Sequence, residues 1–191
     1  ITIMNQPLIS PQQLQQRLLA EDNIIILDAS IEFQIPSESE KIKGQMIPGA
    51  IRFDYDKDFC NKHTLLPHMF PTEKHFNTRA QEIGINQDST IVVYDNAGTF
   101  ASPRAWWMFM AMGHNNVYIL DGGLPAWIEA GYATETDYRT EVKTGNFEGN
   151  IQDNYFVSAH QIESYSTDKS ANIVDARSQA RFDSEVPEPR E

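Results

Sequence analysis

The sequence has little cysteine, an excess of negative over positive charge and no long apolar run. Its single cysteine, Cys60, excludes an internal disulfide, so the reducing cytoplasm is the expected compartment. The 15 Lys and Arg residues against 27 Asp and Glu residues give a net charge of −12, which argues against nucleic acid or a membrane surface as partner. The densest apolar segment, Ala105 to Met112, is much shorter than the ~20 residues that span a bilayer.

Apolar and aromatic residues, by contrast, are plentiful, and their order indicates an α/β fold. They make up 40% of 191 residues, enough for one complete domain and a fraction of another. Runs typical of buried strands alternate with segments of helical periodicity. The predicted strands are 24–27, 51–53, 90–94 and 117–120, and the predicted helices are 11–19, 72–83, 103–112 and 124–130. The alternation predicts a mostly parallel sheet with helices on both faces.

The pattern restarts near the end of the chain. Residues 134–155 are polar and low in aliphatics, which predicts an interdomain linker. A capping-box helix start at Ser158 is followed by a predicted strand, 172–174, that ends in Asp-Ala, as the strand 24–27 does. We therefore predict a first domain at 7–133, the linker at 134–155 and the incomplete start of a duplicate domain at 156–191.

The loop that follows strand 90–94 is the first candidate for a site. In doubly wound sheets, ligands bind where strands end and helix N-termini begin, because backbone N–H groups and the helix dipole favour anions there. Asp95 begins this loop, but an aspartate is a poor nucleophile for sulfur or phosphorus and repels anions. The sequence favours a carboxylate that caps the loop by accepting hydrogen bonds from nearby amides.

Cys60 and the histidines are weaker candidates. The acidic neighbours of Cys60 raise a thiol pKa, although two lysines partly offset them, so a structural role is favoured. His63, His68 and His75 match no common zinc spacing, and no metal site is predicted. His68 lies in a proline-stiffened loop, where it either projects into a cleft or is a solvated loop residue.

Two arginines stand at the end of the chain, Arg181 and Arg190. A pair of guanidiniums suits a small carboxylate or oxyanion. Neighbouring acidic residues offer an alternative, a pair of surface arginines whose ion pairs contribute little. Pro187 and Pro189 stiffen the backbone and lower the entropy cost of presenting Arg190. Composition alone leaves both interpretations open.

Several separated motifs, taken together, resemble those of two-domain rhodanese-type sulfurtransferases. The motifs stand in the family's order along the chain: Ile47-Pro48-Gly49-Ala50, Leu66-Pro67-His68-Met69, Ser102-Pro103-Arg104-Ala105-Trp106-Trp107, Leu120-Asp121-Gly122-Gly123, Asp175-Ala176-Arg177 and Pro187-Glu188-Pro189-Arg190. Gln45-Met46 departs from the usual Gly-His before the first motif. The resemblance implies a duplicated rhodanese-like domain with a five-stranded sheet.

The resemblance also implies an activity and its residues. It implies a 3-mercaptopyruvate or thiosulfate sulfurtransferase that forms a cysteine persulfide and passes sulfur to cyanide, a thiol or thioredoxin, without a cofactor. The nucleophilic cysteine would lie beyond Glu191, Asp95 would be its degenerate first-domain counterpart, and the 191 residues alone would be inactive. Arg181 and Arg190 would bind the donor. Asp56 and His68 match first-domain residues that reach the cleft and handle the substrate.

The sequence leaves two alternative functions open. A rhodanese module without catalytic activity could bind or scaffold a partner, since the chain holds no plausible nucleophile. A phosphatase-like relative is a weaker alternative, because the same loop architecture suits phosphate when it is one residue longer.

Overall fold

A computed structural model describes residues 6–20, 23–32 and 39–187. Within these residues, five strands form one parallel sheet in the order β1-β5-β4-β2-β3, which confirms the predicted fold class. The strands are β1 (Leu8–Ile9), β2 (Ile24–Asp28), β3 (Ile51–Arg52), β4 (Thr90–Tyr94) and β5 (Val117–Leu120). The helices are α1 (Pro11–Ala20), α2 (Glu73–Glu82), α3 (Ser102–Ala111), α4 (Gly123–Glu129), α5 (Ala159–Asp168) and α6 (Gln179–Phe182).

The central strand β4 is buried along its whole length, as its unbroken apolar sequence predicts. Its residues alternate between two hydrophobic clusters because successive side chains of a strand point to opposite faces. Ile91 and Val93 pack in the cluster that contains residues of α2 and α3. Val92 and Tyr94 pack in the cluster that contains residues of α1 and α4. The sheet is therefore covered by helices on both faces.

Two of the helix starts follow directly from capping side chains. The Ser10 hydroxyl accepts a hydrogen bond from the Gln13 amide at 3.2 Å, and the Gln13 side chain accepts one from the Ser10 amide at 2.9 Å. Thr72 caps α2 by accepting from the His75 amide at 3.3 Å. No helix among the described residues is long and apolar enough to cross a membrane.

Residues 134–151 form an arm that packs on the sheet and helices before it. Amides of Gly145 and Phe147 donate to the carbonyls of Gln81 and Ile85 at 2.8 and 3.0 Å. The ring of Phe147 is completely buried in the cluster of α2 and α3. The chain accordingly divides into a first compact unit that ends at Ile151 and a second that starts at Gln152. Most of the segment predicted as linker, 134–155, is thus part of the first unit, and the division into 7–133, 134–155 and 156–191 stays a prediction.

The second unit is described from residue 152 to 187. Its helix α5 begins with the predicted capping box, in which the Ser158 hydroxyl accepts from the Gln161 amide at 3.2 Å. The predicted strand 172–174 forms no β-ladder among the described residues. None of the residues from 152 to 187 is buried within the structure as described.

Candidate functional site

The Asp95 carboxylate fills the loop between β4 and α3. Its Oδ2 accepts hydrogen bonds from the amides of Phe100, Ala101 and Ser102 at 3.0, 2.9 and 2.8 Å. Its Oδ1 accepts from the Ala97 amide at 3.1 Å. Converging amides at a helix N-terminus form an anion-binding nest, and here the anion is the chain's own carboxylate. The predicted capping interaction is therefore observed.

A buried polar network lies beside this loop. Ser30 accepts a hydrogen bond from the Asn96 amide at 3.0 Å, and its own amide donates to Asp28 Oδ1 at 2.9 Å. The other oxygen of Asp28 accepts from the Tyr138 hydroxyl at 2.9 Å. Burial, followed by the charge of Asp28, raises the pKa of Tyr138, which keeps this hydroxyl protonated as a donor. The network connects the arm, through Tyr138, to the start of the Asp95 loop.

Asp56 and His68 lie in direct contact, Oδ1 of the carboxylate against Nδ1 of the ring. Because β2, β3 and β4 are parallel, the segment after β3 that carries Asp56 and the Asp95 loop after β4 emerge at the same edge of the sheet. Both side chains are about a fifth exposed, at 23% and 21%. The ring edge of His68 also packs against Tyr55, with centroids 6.2 Å apart. The structure thus brings together two of the predicted site residues as a carboxylate–imidazole pair, whose contacting atoms are buried while the rest of each side chain is partly exposed.

His68 adopts an unusual backbone conformation. Its φ angle is +55°, in the left-handed region that costs a non-glycine residue about 1–2 kcal/mol. The His68 carbonyl accepts a hydrogen bond of 2.7 Å from Arg104 Nη2, on the first turn of α3. The guanidinium lies over the ring of Trp107, 4.6 Å from its centroid. Burial lowers the pKa of Arg104, while Tyr55 and Asp56 oppose that shift.

Cys60 lies buried next to the segment that carries Asp56. Its thiol is buried and donates a hydrogen bond to the Asp56 carbonyl at 3.0 Å. Burial is the main cause that raises its pKa, with Lys62 opposing and the nearby aspartates adding to it. His75 Nε2 lies 2.6 Å from the Asp58 carbonyl. Among residues 6–20, 23–32 and 39–187, no three His, Cys, Asp or Glu side chains are grouped so that they could hold a metal ion.

The two arginines of the predicted clamp differ in what the structure describes. Arg181 is partly buried at the end of α6 and lines an open cleft of about 410 Å³ together with Arg177, Ser184 and Glu185. Arg177 itself pairs with Asp175 at 2.7 Å. Arg190 lies outside the described residues. The clamp formed by Arg181 and Arg190 stays a prediction.

Sequence reasoning missed the role of Arg104 in the site. A signal was present, since Arg104 is the only charged residue between Asp95 and Met112, a segment that is otherwise apolar or uncharged. A guanidinium in such a segment needs a partner when the helix is buried. The partner, 36 positions away in sequence, could not be identified without the fold.

Comparisons with known proteins agree with this architecture. The sequence profile of the rhodanese-like domain matches residues 10–130. A thiosulfate/3-mercaptopyruvate sulfurtransferase of Arabidopsis thaliana, named as mitochondrial, is 34% identical over 210 residues, which cover 97% of this chain and 54% of the relative. The 3-mercaptopyruvate sulfurtransferase of Escherichia coli K12 is 39% identical over 145 residues, which cover 75% of this chain and 50% of the relative.

A solved structure shares the same fold. The crystal structure of SseA from Escherichia coli, described as a 3-mercaptopyruvate sulfotransferase with the rhodanese fold, superposes with a TM-score of 0.82 at 31% identity. The match covers 97% of this chain and 71% of that chain. The chain spans about half the length of the curated relatives it matches. Since the profile covers well over half of the residues, the chain belongs to the family of proteins with a rhodanese-like domain.

Proposed function

We propose that this chain is the non-catalytic first part of a sulfurtransferase that moves sulfur from 3-mercaptopyruvate, or thiosulfate, to a thiophilic acceptor. The observation that carries the proposal is the Asp95 nest, in which four backbone amides hold the chain's own carboxylate. A loop filled in this way has no room for a sulfur anion and offers no nucleophile. The nucleophile is therefore assigned to a cysteine beyond Glu191, in the equivalent loop of the duplicate domain that is predicted to start at residue 156. The names of the relatives support the donor class.

The proposed chemistry proceeds through a cysteine persulfide. The cysteine thiolate attacks the sulfur of 3-mercaptopyruvate, a sulfur–sulfur bond forms, and the carbon–sulfur bond breaks. The bonding electrons leave on carbon as the enolate of pyruvate, which then takes up a proton. A cyanide ion, a thiolate or the thiolate of thioredoxin next attacks the outer sulfur and releases the cysteine thiolate. These reaction steps balance in atoms and electrons without a cofactor.

Within the chain, we assign two arginines to binding of the donor and the carboxylate–imidazole pair to proton transfer at its reacting atoms. Arg181, together with Arg190, would bind the donor carboxylate through charge-assisted hydrogen bonds of about 1.5–3 kcal/mol each. Asp56 and His68, already in contact, would handle protons on the donor, because a carboxylate and an imidazole are the side chains that most often act as general acid and base. A reducing compartment such as the cytoplasm would keep both the persulfide-forming thiol and a thiol acceptor reduced.

Turnover by the full-length protein that contains this chain tests the proposal. Incubation with 3-mercaptopyruvate and cyanide should release pyruvate and thiocyanate. Without an acceptor, intact-mass spectrometry should find one added sulfur atom, and peptide mapping should locate it on a cysteine beyond Glu191. The variant Arg190→Ala should reduce kcat/KM for 3-mercaptopyruvate by about ten-fold or more, the equivalent of one charge-assisted contact, and leave thiosulfate turnover much less affected.

Cys60→Ser is the matched control for the location of the nucleophile. The serine hydroxyl keeps a donor for the Asp56 carbonyl that the Cys60 thiol now contacts, so the variant should still acquire the added sulfur. Sulfur found on Cys60 itself would contradict the assignment of the nucleophile. Equal losses with both donors in Arg190→Ala would contradict the 3-mercaptopyruvate assignment.

A rhodanese module without catalytic activity is the second candidate. The same filled Asp95 nest favours it, because the described residues alone offer no nucleophile. A full-length protein that releases no pyruvate and carries no added sulfur would support this candidate against the enzyme.

A further inference from the structure

Helix α3 holds the His68 loop, defined here as residues 61–70, at two points. Arg104 Nη2 donates to the His68 carbonyl at 2.7 Å. One helical turn further, the ring of Trp107 packs edge-on against Phe70, with centroids 5.5 Å apart. The loop is also closed on itself, since the Asn61 amide donates to the Met69 carbonyl at 2.8 Å. Both contacts with α3 lie within two residues of the His68 ring.

The hydrogen bond from Arg104 is made to His68, the residue of this loop that has a strained, left-handed backbone conformation. Among the described residues, His68, Lys169 and Ser184 are the non-glycine residues with positive φ, and His68 is the one of the three in the first unit. Strained conformations persist when surrounding contacts over-determine them. The hydrogen bond from Arg104 fixes the carbonyl, and so fixes the direction in which the Cα–Cβ bond presents the imidazole to Asp56.

The Arg104 side chain is itself held in place by contacts within α3. Its guanidinium lies over the Trp107 ring, with 4.6 Å between Cζ and the ring centroid. Its Nε is buried and has no hydrogen-bond partner among the described residues, so this guanidinium is not saturated by carboxylates as a surface arginine commonly is. The carboxylate of Asp56 interacts with it electrostatically, and Asp56 contacts the His68 ring. Arg104 thus acts on both members of the pair.

We infer that Arg104 is a positioning residue that fixes the His68 imidazole against Asp56 and does not itself contact the sulfur donor. The inference rests on the proposed function in so far as His68 and Asp56 serve turnover. It goes beyond that function in naming the residue that sets their geometry. A misplacement of a reacting group by about 1 Å can slow a reaction by up to about a hundred-fold.

The variant Arg104→Met tests the inference in the full-length protein. Methionine keeps an unbranched apolar side chain over Trp107 but loses the donor to the His68 carbonyl. The kcat for 3-mercaptopyruvate should fall by about ten-fold or more, while KM changes by less than about two-fold, because the residue does not contact the donor. In protein labelled with ¹⁵N-histidine, the ring-nitrogen signals of His68, assigned by their loss in His68→Ala, should shift.

A double-mutant cycle separates positioning from a general structural effect. In a His68→Ala background, Arg104→Met should change kcat by less than about two-fold, because the group that it positions is already gone. Arg17→Met is the matched control, since Arg17 also stacks on an aromatic ring, that of Tyr118 at 5.0 Å, but on α1 and in the opposite layer. It should leave kcat and the His68 signals unchanged.

The inference is overturned if the losses of kcat in Arg104→Met and His68→Ala multiply in the double variant. It is also overturned if the ring-nitrogen signals of His68 do not shift in Arg104→Met. If His68→Ala leaves kcat unchanged, the role of His68 in the proposed function fails, and the ring-nitrogen signals alone then decide whether Arg104 positions it. If Arg104→Met does not fold, Arg104→Lys takes its place. Lysine keeps a cation over Trp107 without the planar donor, so the same shift of the His68 signals and a smaller loss of kcat are expected.

Discussion

At the scale of single residues, Asp95 organises the loop between β4 and α3. Its carboxylate fills an amide nest of the kind that binds anions, and three of its four amide contacts come from the last two loop residues and the first residue of α3. Asp95 is 1% exposed, so its carboxylate is stabilised by these amides and the helix dipole rather than by water. The Asp95 carboxylate shapes the loop and satisfies the amides that an external anion would otherwise contact.

We predict that Asp95→Asn destabilises the first unit by about 2–3 kcal/mol, because an amide nitrogen would replace one accepting oxygen and face backbone N–H donors. The free energy of unfolding in urea, followed by tryptophan fluorescence, measures the change. Glu129→Gln is the control, since it makes the same carboxyl-to-amide change at an exposed position of α4 and should change stability by less than about 0.5 kcal/mol. Equal stabilities of the two variants would show that the nest does not depend on the charge.

Residue contacts also mark the limit of what the sequence could predict about the site. The capping role of Asp95 was predictable, because the residue, its loop and the helix N-terminus are adjacent in the chain. The family resemblance implied that Asp56 and His68 both reach the cleft, but their direct contact, across twelve positions of sequence, was not predicted. The bond from Arg104 to the His68 carbonyl was not predicted, because no local pattern reports which distant backbone oxygen a buried guanidinium will meet.

At the scale of elements, the sequence predicted the bounds of a strand or helix correctly where a continuous apolar run or a capping residue marks them. The strands at 90–94 and 117–120 and the start of α2 after Thr72 were predicted to the residue. The two-residue edge strand β1 was missed, because two residues carry no period. The arm was missed because its anchors, Tyr138 and Phe147, stand alone among polar residues. Their burial is decided by the surface that the rest of the fold offers them.

Phe147 is completely buried and lies with its ring centroid 5.8 Å from that of Phe76 and 6.0 Å from that of Phe109. Phe147→Ala should lower the free energy of unfolding of the first unit by about 3–5 kcal/mol, the usual cost of emptying such a site. Phe100→Ala, at a position that is 40% exposed, should cost about 1 kcal/mol. Urea denaturation of both variants compares them. Similar, small losses would mean that the arm is a linker in solution, as the sequence analysis predicted.

At the scale of the whole molecule, the two units differ in what stabilises them. The first holds both hydrophobic clusters described here, and the arm that closes it contributes Phe147 to one of them. The second, from residue 152 to 187, has no buried residue among those described and exposes apolar side chains, among them Val157 and Val174 at 55% and 82%. A ten-residue helix such as α5 is marginally stable in water without a packed face.

Amide hydrogen exchange on the 191-residue chain should therefore divide it at the end of the arm. Amides of β4, and those of Gly145, Phe147 and Asn150 that join the arm to the rest of the first unit, should share slow exchange, because they open only when that unit unfolds. Amides of α5 should exchange close to the rate of an unstructured peptide, since their helix can open without exposing a core. Phe147→Ala serves as the internal control, because it should accelerate exchange in the arm and in β4 while leaving α5 unchanged. Slow exchange in α5 equal to that of β4 would show that the second unit is stabilised by packing rather than by its capping box alone.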